Sequence, residues 1–538
     1  MGKYSQNNLI VDVAYYQNSI QSVKRSCNEY ENLLSTYIGY LVEINQNGIA
    51  SGKTAEALAR LIHEISGIQG DMAAIGNDYE AIVQDFLTQI NNADTIMYKN
   101  KNRKVLTDEE FNKAKSATRG IPELVSFVKL AWGLSGICKY YLIEGMIFLV
   151  SVLKKSVKQL NEQVAKDLNK TQKKVKSIDS TYQLALNNVY KELVNYNKVI
   201  LTIAEVMSPD SKHFTSKNIS RLTQCIKEAK RFKKYVDQNP FYMEITQKKS
   251  SKKGGGENKL EYTIPGLDQG FVPQGVTYDK EHDWIIISGY YKEGYPSQIM
   301  ILDAKTGKVV KIITLRNRDG SLYTGHAGGV AYSNGHLYIT GEGNVYTISG
   351  DELENAGKND IITFSKQKKT STAGSYANTS GENVYIGNFH QKGKNDVKSI
   401  TVNGKQYSSY CEEYNSDVTK RQRIILTPDQ TQGMTRTDDG RYIFSTSYGR
   451  DKKSIFYVYT GEPELIGYVD GVPVYQFTQK PTIIEGPPMS EGMCTIDGKN
   501  YVIYESGSKQ YRDGTDGNGK SKNPTDKISI LNLPEKLN

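Results

Sequence analysis

The chain has 538 residues, too many for one hydrophobic core, so two or more domains are expected. Its net charge of +9 fits a solvated basic exterior or an anionic partner. Five scattered cysteines, odd in number and without a CxxC pair, suggest neither a disulfide framework nor a zinc site. The basic runs lie in linkers without interleaved aromatics, which argues against nucleic-acid binding.

Taken in chain order, the first residues, MGKYSQNNLIVDVAYYQ, lack the unbroken apolar core of a secretory signal. The protein therefore stays in the cytosol or leaves by a route that reads no cleavable signal. Residues 8–44 carry apolar side chains at helical spacing, and so do residues 54–90. With Gly48 between them they predict an αα-hairpin. The GIASGKT run at 48–54 is one residue short of a phosphate loop and follows no strand, so it is rejected. Residues 91–108 read as a basic loop, with short helices at 109–117 and 122–132. One long helix is predicted over 140–206, and a basic helix over 218–236. The apolar stretch 134–153 is interrupted by Lys139 and Glu144. It falls short of the roughly 20 apolar residues of a spanning helix and reads as buried or partner-covered.

The run KKSSKKGGGENK at 248–259 is the clearest boundary. It divides a helical domain (1–240) and a flexible basic linker (241–259) from a C-terminal domain (260–538). There one pattern recurs every 45–60 residues or so. It reads QGVTYDKEHDWIIISGYY from Gln274, GGVAYSNGHLYITGEG from Gly328, AGSYANTSGENVYIGNFH from Ala373, QGMTRTDDGRYIFSTSYGRD from Gln432 and EGMCTIDGKNYVIYESGS from Glu491. Each copy is strand, Asp/Asn/Gly turn, strand. The fold class is thus multidomain α plus β: a helical hairpin and stalk followed by a β-propeller of about five blades. The last copy lacks an outer strand, and the segment around Tyr262 is expected to supply it by pairing near Ile530.

Strands of a blade alternate in direction, so two sets of residues should emerge on one face. Gln274, His326, Gln432 and Glu491 precede innermost strands; Tyr290, Glu342, Asn388, His390, Arg450 and Glu505 follow second strands. Asp396, Asp451 and Asp526 should each enter a third strand. Carboxylates gathered in a funnel repel unless a proton or cation relieves them, and oxygen donors of this kind suit Ca²⁺. The expected metal ligands are Asp396, Asp451, Glu342, Glu491, Glu505, Gln274 and Gln432. The bland alternative is that the Asp residues are turn formers and the Gln and Glu brace the blades. The loop DGTDGNG at 513–519 lacks EF-hand spacing and reads as disordered. His282 and His336 lie in hairpin turns and should be exposed. His63 lacks the second His of HExxH, and no GxSxG elbow is present.

The layout resembles the LXG-domain toxins of type VII (Esx) secretion. A signal-less helical hairpin and stalk cover about the first 240 residues, and Leu134-Ser135-Gly136 is the only Leu-x-Gly there. The C-terminal half is similar to the lipid II phosphatase toxins of that family, with Asp396 and Asp451 matched to their aspartates. The resemblance implies a secreted antibacterial hydrolase that cleaves the lipid II pyrophosphate with Ca²⁺ and blocks peptidoglycan synthesis. Asp396 or Asp451 would hold metal or orient water. His326 or His390 would move a proton, and Arg450 would grip a phosphate. It further implies a small WXG-type helical export partner, the type VII secretion machinery and an immunity protein. The site of action would be the membrane surface of the target cell, on its outer face. The rivals are a calcium-dependent lactonase or esterase propeller and a non-enzymatic binding propeller.

Overall fold

The computed structural model describes residues 13–46, 53–98, 178, 181–192, 194–196, 198–199, 201–202, 216–248, 262–292, 294–393 and 397–534. Two compact units divide between Tyr242 and Met243. In the first, α1 (Val13–Gln46) and α2 (Lys53–Tyr98) lie antiparallel, with Tyr79 donating to Ser19 at 2.9 Å and Gln69 to Ser35 at 2.6 Å. Helical residues within 181–202 and α3 (Ser216–Gln238) complete the bundle. All four segments bury side chains seven residues apart: Ile20, Cys27 and Leu34; Ile68, Ile75 and Ile82; Tyr182, Val189 and Tyr196; Leu222, Ala229 and Val236. That repeat is the seam of helices crossing at shallow angles. The long helix expected from residue 140 lies outside the described residues up to 177, as do the apolar stretch 134–153 and the short helices before it. Among the described residues no helix is long and apolar enough to cross a membrane.

The second unit is a five-bladed β-propeller. Its blades are β1–β4 (Phe271–Asp279, Trp284–Tyr291, Gln298–Asp303, Val309–Arg316); β5, β6, β7 and β9 (Gly329–Ser333, His336–Gly341, Asn344–Ser349, Lys366–Lys369); β10, β11, β14 and β15 (Tyr376–Ser380, Asn383–Gly387, Tyr410–Tyr414, Arg421–Leu426); β16, β17, β18 and β21 (Thr431–Arg436, Tyr442–Thr446, Ser454–Tyr459, Thr482–Gly486); and β22–β24 (Ser490–Ile496, Lys499–Tyr504, Ser529–Leu531). The short strand β8 (Ile361–Thr363) joins the first sheet, and the hairpin β19–β20 (Glu464–Val469, Val472–Gln476) the third. Strands read as apolar runs because both sheet faces are covered. In β2, Ile285 and Ile287 pack into the core shared with the last blade, and Ile286 into the core shared with the second.

The ring closes as expected from sequence. Thr263 bridges Lys527, and the amide of Ile528 donates to the carbonyl of Tyr262 at 2.8 Å. Tyr262 thus faces Ile528, two residues short of Ile530, which pairs with Tyr501. Residues just before the strand also belong to this unit. Met243 and Ile245 pack on its core, and Gln247 donates to the carbonyls of Thr263 and Gly307.

Candidate functional site

The innermost strands β1, β16 and β22 each contain a register shift, between Pro273 and Gly275, Thr431 and Gly433, and Ser490 and Met493. Gln274, Gln432 and Glu491 sit in these bulges. A bulge breaks the strand's alternation and re-aims a side chain, and all three line one cavity of ≈ 700 Å³. The glycine that follows each is required by close approach of the blades. A Cβ on Gly275 would lie 2.6 Å from the Val330 amide nitrogen, and one on Gly492 2.8 Å from the Gly275 Cα. The repeated Gln/Glu-Gly pair is therefore a device with two parts, one closing the ring and one arming its axis.

The second-strand set reaches the same cavity through Tyr290, Glu342, Arg450 and Glu505, and His326 joins it ahead of β5. Glu342 and Met489 on the wall, and Ala327 beside His326, hold left-handed backbone at φ 54°, 66° and 48°. Such strain in non-glycine residues gathers at sites where geometry is imposed by the surroundings.

Electrostatics centre on two carboxyls. Glu491 is 2% exposed. Burial pushes its pKa well above the carboxylate range, and the neighbouring Glu505 charge pushes it further. Glu505 is pushed up to about 7 by burial, with Lys292 opposing. Gln274 Nε2 donates to Glu505 Oε2 and Gln432 Nε2 to Glu491 Oε1, both at 3.3 Å. Two desolvated carboxylates cannot both ionise cheaply, so the pair holds a proton or a cation. His326 opens onto the funnel, edge-on to Tyr290 at 4.5 Å between ring centroids. Desolvation and the nearby Lys292 charge lower its pKa from the ordinary value, with Glu342 opposing.

Sequence reasoning missed Tyr511 and Lys292 and misjudged the loop 513–519. Tyr511 is buried, with Lys292 Nζ 4.3 Å and the Arg450 guanidinium 4.8 Å from its ring centre. The loop, expected to be disordered, is pinned by Asp516, which accepts hydrogen bonds from Arg450 and Lys292. Lys292 directly follows β2, the slot logic that selected Tyr290, and that signal would have found it.

Other expected residues go elsewhere. Asp451 is exposed and does not line the cavity. Asp396 lies outside the described residues. The strand after it is not a blade strand: Ile400–Val402 forms a separate hairpin with Lys405–Tyr407, and the third strand of that blade is β14. Asp526 is half-buried, and its carbonyl accepts the Ile264 amide at the ring closure. Asn388 is buried as a brace, accepting the Ala373 amide. His390 pairs with Asp429 at 3.0 Å, off the cavity. His282 is not exposed as expected. The fully buried Asp279 draws it in at 2.6 Å, against Trp284.

Among the described residues no three His, Cys, Asp or Glu converge as a metal cluster. The axis instead offers two carboxylates and two amides, an all-oxygen donor set when the amides turn. Hard cations such as Ca²⁺ suit it; zinc or copper would call for nitrogen or sulfur.

No family model and no curated protein matches the chain. Solved structures similar to it are distant. Hydrazine synthase of Kuenenia stuttgartiensis is 13% identical with a TM-score of 0.26, over 43% of this chain and 55% of that one. The Dos1 propeller is 12% identical with a TM-score of 0.23, over 49% and 58%. A gluconolactonase of Xanthomonas campestris is 12% identical with a TM-score of 0.24, over 46% and 77%. The chain thus spans little more than half the length of the first two, and none of the three bears on its substrate.

Proposed function

We propose that the propeller is a calcium-dependent hydrolase of an anionic pyrophosphate, lipid II, and that the helical unit serves export as in LXG toxins. The observation that carries the chemistry is the pair of buried carboxyls, Glu491 and Glu505, set with Gln274 and Gln432 in one funnel. Such a pair is costly to charge and so is poised to hold a cation or move a proton. Glu491, Glu505, Gln274 and Gln432 would hold Ca²⁺; when bound, it would offset charge developing on the pyrophosphate oxygens. His326, its pKa lowered, would accept a proton from the attacking water. Tyr290 packs edge-on against it and would hold its ring in place. Water adds to phosphorus, the bridging P–O bond breaks, and the proton that His326 took from the water is returned to the leaving phosphate.

Within this reading Asp451 and His390 have outer roles, because Asp451 is exposed and His390 is engaged with Asp429. A secreted route without a cleavable signal, a WXG-type partner and an immunity protein that caps the funnel belong to the same proposal. Lipid II and extracellular calcium meet at the outer face of a target-cell membrane, where a weak calcium site is occupied.

The test is turnover of lipid II by the full chain, in calcium and in chelator. The expected result is calcium-dependent release of the lipid phosphate, lost about 100-fold or more in Glu505→Gln and Glu491→Gln. Intact lipid II alongside hydrolysis of esters or lactones would move the same site to the lactonase-type reading. No turnover of either would leave a binding propeller.

A further inference from the structure

The Arg450–Asp516–Lys292 cluster is a cation pair closed by the chain's own carboxylate. Arg450 binds Asp516 through both terminal nitrogens, at 2.9 and 2.5 Å, and Lys292 Nζ lies 2.7 Å from the same carboxylate. This fork-and-point arrangement is how proteins hold phosphate. Both cations lie over the Tyr511 ring, which fixes their spacing from below. The Arg450 and Asp516 side chains are 16% and 13% exposed, while Lys292 reaches in from the rim at 35%.

The cluster also stands where two cavities meet. Arg450 and Tyr511 line the ≈ 700 Å³ funnel, while Lys292 and Asp516 line a second cavity of ≈ 560 Å³ that continues past Gln510 and Tyr295. Asp516 therefore bridges a cation of one cavity to a cation of the other. It is carried on a loop with Gly514, Gly517 and Gly519 in left-handed conformation, a backbone suited to changing its path.

We propose that Arg450 and Lys292 form the phosphate-binding subsite of the propeller, and that Asp516 occupies it as an internal stand-in until an anionic ligand displaces it. Displacement joins the two cavities, so the ligand class is an elongated molecule with a phosphate or pyrophosphate in its middle. The proposal rests on the hydrolase reading only for what flanks that phosphate.

The probe is inorganic pyrophosphate in calcium-free buffer, titrated into the full chain. Asp516→Asn removes the competing charge and is expected to tighten binding about tenfold or more, and Arg450→Ala added to it should abolish the gain. Asp513→Asn, in the same loop but exposed and bonded to its neighbour Arg512, should bind as the unaltered chain does. A folded Asp516→Asn variant, judged by its melting temperature, that binds no tighter would overturn the proposal. The unaltered chain supplies an independent reading. Pyrophosphate should speed trypsin cleavage at Lys520, beside the released loop, and an unchanged cleavage rate would also overturn it. Neither readout uses lipid II turnover, so failure here and failure of the hydrolase reading are separable.

Discussion

Glu505 ties the stability of the propeller to pH. Burial pushes its pKa in the folded state up to about 7, from an ordinary value of 4.5. The folded protein therefore binds more protons than the unfolded chain between those values, and stability falls as pH rises through that window. Without divalent cations, the melting temperature of the full chain should drop from pH 4.5 to 7, and Glu505→Gln should flatten that slope. Calcium should raise the melting temperature more at pH 7 than at pH 5, where protons compete for the pair. At the same scale, Gly433→Ala sets a Cβ against the Glu491 carbonyl, with the Gly492 Cα 2.9 Å away. A loss of about 1–3 kcal/mol is expected in urea unfolding, with any activity reduced because Glu491 must shift. The Gln/Glu-Gly pairs were legible in the sequence because they repeat at a fixed place in three of the copies, although they lie in bulges inside the inner strands rather than before them. Tyr511 was not, since it arrives on a short helix after β23 that no repeat contains.

At the scale of elements, the third blade explains the one strand misassigned from sequence. The run NDVKSITV ends like a blade strand, with Ile400 and Val402 two apart, and yet that end forms the outlying hairpin. The true third strand, YCEEY at 410–414, reads as exposed because it carries Glu412 and Glu413. Both are buried. Glu412 accepts from Arg421 at 2.6 Å and from Tyr414 at 2.7 Å, and Glu413 pairs with Arg423. Local pattern cannot reveal that the partner arginines come from the next strand. Arg421→Met should strand the Glu412 charge and lower stability by about 3–5 kcal/mol in chemical denaturation. Replacing Glu412 and Arg421 together by apolar residues should recover most of that loss. In the helical unit the heptad stripes were legible for the opposite reason, since each helix displays its own seam without help from its neighbours.

At the scale of the molecule, the last blade of the propeller depends on the segment that opens the domain, far from it in sequence. Tyr262 to Ile264 hydrogen-bonds the segment at 526–528, and the chain from Met243 packs on the same core. A variant beginning at residue 243 should unfold in one transition near that of the full chain. One beginning at residue 266 should expose the outer edge of the last sheet, melt lower and aggregate, as light scattering would record. What the sequence alone determined is whatever repeats or is read within one element: two fold classes on either side of a glycine-rich linker, five copies of a hairpin, and a set of polar slots at the inner strands. What only the tertiary structure decided is which slots meet. Gln274, Glu505 and Tyr511 are brought together because the ring closes the last blade on the first. The carboxyls acquire their unusual proton affinity there because burial, absent from any local stretch of chain, raises the cost of charge.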